Sequence, residues 1–134
     1  MMADQSICFF ADYMIDHEDG GGYATVRPNG DTLDSHKGDA FKAEYHSVEL
    51  FYYAYLYGNL LYHRKPVTLY YQIPPSDEEQ VVKLTPIAIE DERLIITDVA
   101  LDGTDYFNFN GATREITLDA NQGGELQVTF ARID

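Results

Sequence analysis

Cysteine, tryptophan and positive charge are scarce in this chain of 134 residues, which has one Cys, no Trp and nine Lys and Arg against 23 acidic residues. The single cysteine, Cys8, excludes an internal disulfide, and we expect it to be a buried apolar side chain in a cytoplasmic protein. The formal net charge of −14 argues against nucleic acid and anionic membranes as partners, because phosphate groups are bound by clustered Lys and Arg.

Long apolar runs are also missing. No run approaches the length of about 18 residues that predicts a membrane span. The first residues, MMADQSICFFADYM, have neither a basic start nor a long apolar core, so we expect no signal peptide. The chain does contain 45% hydrophobic residues, which is ordinary for a protein with a folded core.

Apolar residues recur at helical spacing in the first half of the chain. They predict helices over residues 5–17 and 46–62. Between the helices, Tyr23–Val26 is predicted as a short strand of a β-hairpin. The sequence RPNGD, Arg27–Asp31, is predicted as its turn, because Pro fixes φ and Asn-Gly suits positive φ.

The periodicity changes from 3.6 to 2 at Pro66. From there to residue 133 the sequence predicts about six short antiparallel strands, which is typical of a β-sandwich. The first strand is VTLYYQI, with Val67, Leu69, Tyr71 and Ile73 on one face, and it is followed by VVKLTPIAI, LIITDVAL, YFNFN, REITL and ELQVTFARI. In the last strand Leu126, Val128 and Phe130 alternate cleanly with Gln127, Thr129 and Ala131, which predicts one wet face. The fold class expected is α+β, with a helix–hairpin–helix segment over residues 1–65 and an antiparallel β-sandwich over residues 66–134.

The stretch KAEYHSVELFYYAYLYGNLLYHR, residues 42–64, holds much of the aromatic mass. Two apolar stripes cover nearly the whole circumference of its helix, so we expect the helix to be central and buried on all sides. The sandwich and helix 5–17 are too small to cover it completely. The remaining apolar surface predicts self-association, with a symmetric homodimer as the commonest solution.

Histidine is the residue type with the clearest chemical potential. The four histidines, His17, His36, His46 and His63, have no metal-ligand spacing, so we expect neither a metal site nor a cofactor. His46 stands near a helix N-terminus, where the helix dipole disfavours its protonated form and suits it to act as a base. A partly buried structural histidine with one hydrogen bond is the alternative.

The run GGGYATVRPNGDTLDSHKGDAFKAEYHSVEL resembles the last hairpin and helix of the N-acylglucosamine 2-epimerase and cellobiose 2-epimerase superfamily, whose members are α/α toroids. Gly21-Gly22-Tyr23 matches the family's G-G-W-Y pattern with Tyr in place of Trp. Asn29-Gly30 matches its turn, and Lys42, Tyr45 and His46 match K-x-x-Y-H. The resemblance implies that His46 is the catalytic acid/base and that Lys42, Tyr45 and Glu49 contact a sugar.

The resemblance covers residues 8–62, so it implies a C-terminal module of an epimerase-like protein whose upstream helices are missing here. A lone base cannot serve both faces of a carbon, so the module is expected to be catalytically silent and to contact the missing toroid or a second copy. The alternative is a non-catalytic carbohydrate-binding or protein-assembly domain; a self-contained enzyme ranks last. Possible stacking platforms for a carbohydrate are Tyr70, Tyr71, Tyr106, Phe107 and Phe109, although aromatic residues on sandwich strands are more often core.

Overall fold

The computed structural model describes residues 2–33, 36–37, 45–86, 89 and 91–133. The chain has an α+β fold in which two helices are followed by two antiparallel sheets. It divides into two compact units, Met1–Tyr52 and Tyr53–Asp134. The predicted fold class is confirmed.

The first unit begins with helix α1, Met2–Phe9, which continues into a π-helical turn, Phe10–Met14. This helical stretch starts and ends three residues earlier than the predicted range 5–17. It ends where Ile15 adopts an extended backbone and pairs with Gly22 in an isolated antiparallel bridge. Gly20 and Gly21 have φ values of 76° and 80°, so the glycine run forms the tight turn between the two bridge residues.

The predicted hairpin is present in reduced form. Its turn is confirmed, since the amide of Arg27 donates to the carbonyl of Asp31 at 2.8 Å and Gly30 has a φ of 92°. The predicted strand Tyr23–Val26 is wrong: Val26 makes one isolated bridge with Thr32, and the other backbone bonds of the segment go to separate partners, Met14, His36 and Leu33, without forming a continuous ladder. The polar residues that follow offer few β-branched or aromatic side chains to extend the pairing.

Helix α2 spans Tyr45–Tyr57 and continues into a second π-helical turn, Gly58–His63. It matches the predicted helix 46–62 closely. Arg64 ends it in the left-handed conformation, with its amide bonded to the carbonyl of Asn59, and Pro66 prevents any continuation.

The described residues of the second unit form seven strands in two antiparallel sheets. The four-stranded sheet has the order β1-β7-β3-β4 and the three-stranded sheet the order β2-β6-β5. The strands are β1 Val67–Ile73, β2 Gln80–Lys83, β3 Leu94–Leu101, β4 Thr104–Asp105, β5 Phe109–Asn110, β6 Glu115–Leu118 and β7 Gly124–Arg132. A short 3₁₀ helix, Asp91–Arg93, precedes β3. The predicted strand over residues 81–89 is reduced to β2, and residues 87, 88 and 90 lie outside the described range.

One apolar core lies in this unit and draws side chains from both sheets and from α2. Leu126, Val128 and Phe130 of β7 are fully buried, and they alternate with half-buried Gln127, Thr129 and Ala131. Leu56 and Leu60 contribute the helix side of the core. The alternation predicted for β7 is therefore confirmed, with its apolar face inward.

Two burial predictions are wrong. Helix α2 and its π-helical turn are not buried on all sides, since seven large apolar side chains on them are exposed: Val48, Leu50, Tyr52, Tyr53, Tyr55, Leu61 and Tyr62. Four of these are tyrosines, whose hydroxyl group tolerates water. Cys8 is also exposed rather than buried, because its position on α1 faces away from the apolar side chains of Ile7 and Phe10, which are half-buried.

Candidate functional site

The residues predicted for a sugar site are only partly described. Lys42 lies outside the described residues, as do the side chains of Tyr45 and His46, whose backbones form the first turn of α2. Glu49 is exposed on the same helix. Of the four residues only Glu49 has a described side chain, so the roles given to them remain predictions.

The glycine-rich turn that carries the family resemblance is held by an ion pair. Lys37 Nζ lies 2.7 Å from Asp16 Oδ2 and donates to the carbonyl of Gly20 at 2.8 Å. Asp16 Oδ1 accepts the amides of Glu18 and Asp19 at 2.9 and 3.1 Å. The hydrogen bond from Lys37 and these amides hold the pKa of the Asp16 carboxyl well below its usual range. The hydrogen bond to Asp16 also raises the pKa of Tyr23. These contacts account for the conformation of the turn as a structural feature.

The five aromatic residues considered as sugar platforms separate into two groups. Tyr71, Tyr106 and Phe109 pack against the core. The Tyr106 hydroxyl donates to the carbonyl of Thr117 at 2.6 Å and also lies 2.9 Å from Gln122 Oε1, and burial raises its pKa. Tyr70 and Phe107 are exposed by 62% and 83%.

Tyr70 and Phe107 do not form one platform. Tyr70 lies on β1, and Phe107 follows β4, at the other end of the strand order β1-β7-β3-β4. Three strand spacings of about 4.8 Å put these edges roughly 14 Å apart. The exposed rings therefore belong to separate surfaces.

The outer side of β1 is the most distinctive surface feature of the second unit. β1 is an edge strand, paired on one side with β7 from Val67↔Phe130 to Ile73↔Gly124. The Tyr55 hydroxyl accepts the amide of Thr68 at 3.3 Å and lies 3.5 Å from its carbonyl. The backbone of Thr68 therefore faces away from β7.

Other residues of β1 also direct their backbone groups away from β7, because the strand alternates. Backbone groups on successive residues point to opposite edges of a strand, so those of Tyr70 and Gln72 also face away from β7. The side chains of Tyr70 and Gln72 are both exposed. Within the described part of the chain, no backbone group is hydrogen-bonded to the side of β1 that faces away from β7. The partner of Thr68 on that side is the side-chain hydroxyl of Tyr55.

The composition of β1 is unusual for an open edge. Its seven residues, VTLYYQI, contain no charge, glycine or proline, whereas natural proteins commonly protect edges with charges, prolines or very short strands. The other edges follow that rule: β4 and β5 have two residues each and β2 carries Lys83. The absence of charge from β1, in a chain of net charge −14, was the sequence signal for this site.

No three His, Cys, Asp or Glu side chains among the described residues are close enough together to hold a metal ion. No helix in the described ranges is long and apolar enough to cross a membrane. Comparisons with protein-family models, curated proteins and solved structures each returned no match. The epimerase resemblance therefore stays a prediction.

Proposed function

We propose that this chain is a non-catalytic protein-assembly domain whose strand β1 accepts an extended segment of a partner protein as an additional strand. The observation that carries the proposal is the open, uncharged edge of β1. The backbone groups of Tyr70 and Gln72 face outward there, on a strand that is otherwise regular and fully paired with β7.

Strand addition suits the chemistry of this edge. Main-chain hydrogen bonds to an incoming segment supply affinity, and the side chains on alternate faces supply specificity. Tyr70 gives the outer face a large, exposed ring at the centre of the strand. Tyrosine is enriched at protein interfaces because it offers apolar area together with a polar group.

The arrangement favours assembly over carbohydrate binding. Sugar rings are commonly held by aromatic faces that act together, and the two exposed rings among the five sandwich candidates, Tyr70 and Phe107, lie at opposite ends of one strand order. The remaining aromatic candidates are part of the core. A strand of a partner protein, in contrast, can bind through hydrogen bonds to the backbone groups that β1 presents.

A peptide titration followed by NMR tests the proposal. The probes are synthetic seven-residue peptides of alternating β-branched and aromatic residues without charge, compared with the same peptides interrupted by proline. Uncharged peptides are expected to shift the amide signals of Tyr70 and Gln72, while the signals of Leu69 and Tyr71, which face β7, change less.

The matched variants are Tyr70→Lys and Val81→Lys. Both replace an exposed apolar residue of an edge strand, and Val81 is 60% exposed on β2. A lysine on β1 is expected to abolish peptide binding because it blocks edge pairing, and a lysine on β2 is expected to leave it unchanged. Peptides that fail to shift these amides, or that bind Tyr70→Lys as well as wild type, would refute the proposal.

A further inference from the structure

We infer that the strand accepted by β1 is β1 of a second copy of this chain, running antiparallel, with Tyr70 of each copy opposite Gln72 of the other. This inference rests on the proposed function and names the partner. The pairing would join two four-stranded sheets into one continuous sheet about a two-fold axis beside Tyr71.

The pattern of available backbone groups on β1 is the main argument. At one end, the Tyr55 hydroxyl already binds both the amide and the carbonyl of Thr68. At the other end the strand is followed by Pro74, which has no N–H to donate. Between these ends, Tyr70 and Gln72 each offer one N–H and one carbonyl to the outside.

This pattern is complementary to itself in one antiparallel register. With Tyr70 opposite Gln72 of the second copy, each pair exchanges two N–H···O bonds, and the four outward N–H donors of Tyr70 and Gln72 on the two strands are all used. The same register sets Thr68 opposite Pro74. Thr68 already has its hydrogen bonds to Tyr55 and Pro74 has no donor, so no outward N–H is left facing a blocked position.

The neighbouring register is less favourable. If Tyr70 lay opposite Tyr70 of the second copy, Gln72 would face Thr68, whose backbone groups are already bonded to Tyr55. Each copy would then have to break those bonds or leave the Gln72 groups unpaired. Unpaired backbone groups in an interface carry a desolvation cost, so this register is disfavoured.

Side chains and charge agree with a second copy as the partner. In the favoured register Tyr71 lies directly opposite its counterpart in a non-hydrogen-bonded pair, and the two Tyr70 rings lie diagonally across the outer face, within reach of each other. A copy of β1 brings no charge to the contact. An acidic partner strand would place carboxylates against a chain that already carries a net charge of −14.

A small interface is expected, because two seven-residue strand edges bury less than the roughly 1,200 Å² of standard stable complexes. The dimer should therefore dissociate at micromolar concentration. This estimate sets the concentration range for the test.

Cysteine cross-linking distinguishes the two registers. In a Cys8→Ser background, which removes the exposed native thiol, Tyr71→Cys and Tyr70→Cys are oxidised under the same mild conditions. The favoured register places the two Cα atoms at position 71 about 4.5 Å apart, within the range for a disulfide, and those at position 70 about 7–8 Å apart, beyond it. Covalent dimer is expected from Tyr71→Cys and not from Tyr70→Cys. The reverse result, or no dimer from either, would overturn the register.

A second measurement on the unmodified chain keeps the inference testable, since Tyr71 is half-buried and its replacement lowers stability. Sedimentation equilibrium is expected to show a concentration-dependent dimer. Amide exchange is expected to show protection of Tyr70 and Gln72 that rises with concentration, while Leu69 and Tyr71 are protected throughout. The variant Tyr70→Lys should remain monomeric and Val81→Lys should dimerise like wild type.

The outcomes separate this inference from the proposed function. A chain that stays monomeric at high concentration while uncharged peptides still shift the amides of Tyr70 and Gln72 would overturn the second copy as partner and leave strand addition standing. A monomer that binds none of the peptides would overturn both.

Discussion

Arg114 carries a charge into the core of the second unit. Its side chain is buried, and its guanidinium donates to the carbonyls of Leu84 and Leu94 at 3.1 and 3.2 Å. These carbonyls lie at the end of β2 and the start of β3, so Arg114 ties together the two ends of the connection between the sheets. Its backbone φ of 58° directs the chain from the turn after β5 into β6.

Replacing Arg114 with methionine is expected to lower the free energy of unfolding by roughly 2–6 kcal/mol, because two buried carbonyls lose a donor and each unsatisfied group costs about 1–3 kcal/mol. Urea unfolding followed by circular dichroism measures this change in the free energy of unfolding. Arg114→Lys is the matched control: it keeps the charge and the same backbone strain but offers a less suitable donor geometry, so an intermediate loss is expected. A Met variant as stable as wild type would contradict the assigned role.

Asp16 gives the first unit a pH dependence. Its pKa is lowered from an ordinary value of 3.8, first by the hydrogen bond from Lys37 and then by the amides of Asp19 and Glu18. A carboxyl whose pKa is lower in the folded state stabilises the fold above its unfolded pKa, and this contribution is lost as the pH falls through the folded value. The contribution of Asp16 to stability should therefore be constant above about pH 5 and decline below 3.8.

Asp16→Asn tests this dependence. The substitution removes the charge facing Lys37 but keeps an oxygen that can accept the amides of Glu18 and Asp19. The thermal midpoint of the variant is expected to be lower than that of wild type at pH 7, and the difference should shrink as the pH falls below 3.8. Lys37→Met in wild type should reproduce the loss at pH 7. A difference independent of pH would show that the carboxylate charge is not the cause.

Helix α2 and its π-helical turn are buried on one side only, although their composition is apolar nearly all round. Leu56 and Leu60 are fully buried, whereas Val48 is 67% exposed. Leu60→Ala is expected to cost about 2–5 kcal/mol, because it leaves a cavity in the core. Val48→Ala, the matched control on the same helix, should change stability by less than about 0.5 kcal/mol. Chemical denaturation of both variants checks the pair, and equal losses would mean that the helix is buried on both sides after all.

The strands were predictable from sequence to the extent that their side chains alternate. β1, β3 and β7 were predicted almost to the residue. The apolar residues of β1 and β7 alternate, and all three strands adjoin stop signals: Pro66 and Pro74 around β1, the turns EDER and LDGTD around β3, and DANQGG before β7. The hairpin strand over residues 23–26 was overpredicted because a strong turn signal does not supply cross-strand partners. Burial of α2 was overpredicted because its tyrosines counted as apolar in the pattern yet tolerate exposure through their hydroxyl groups.

The candidate site could be predicted only in part. The sequence identified VTLYYQI as a strand, with Leu69 and Tyr71 on one face and Tyr70 on the other. It could not identify β1 as an edge, because strand order depends on pairings between residues far apart in the chain, such as Val67 with Phe130. Nor could it show that the Tyr55 hydroxyl binds Thr68, which is the contact that defines the register proposed for the dimer.

At the scale of the whole molecule, charge opposes the association that β1 favours. Each copy carries a net charge of −14, so two copies repel each other at long range, while the seven residues of β1 contribute none of that charge. An interface held by main-chain hydrogen bonds and aromatic contacts has no ion pairs for salt to weaken. Salt should therefore act on this dimer only by reducing the repulsion.

The dimer is accordingly expected to become tighter as the ionic strength rises. The screening length falls from about 30 Å at 0.01 M salt to about 8 Å at 0.15 M, which removes most of the repulsion between charges outside the contact. Sedimentation equilibrium at both salt concentrations should show a severalfold lower dissociation constant at the higher one, and Tyr70→Lys should stay monomeric at both. A dimer that weakens with salt would have to be held by opposite charges, which β1 does not contain, and its interface would lie elsewhere on the molecule.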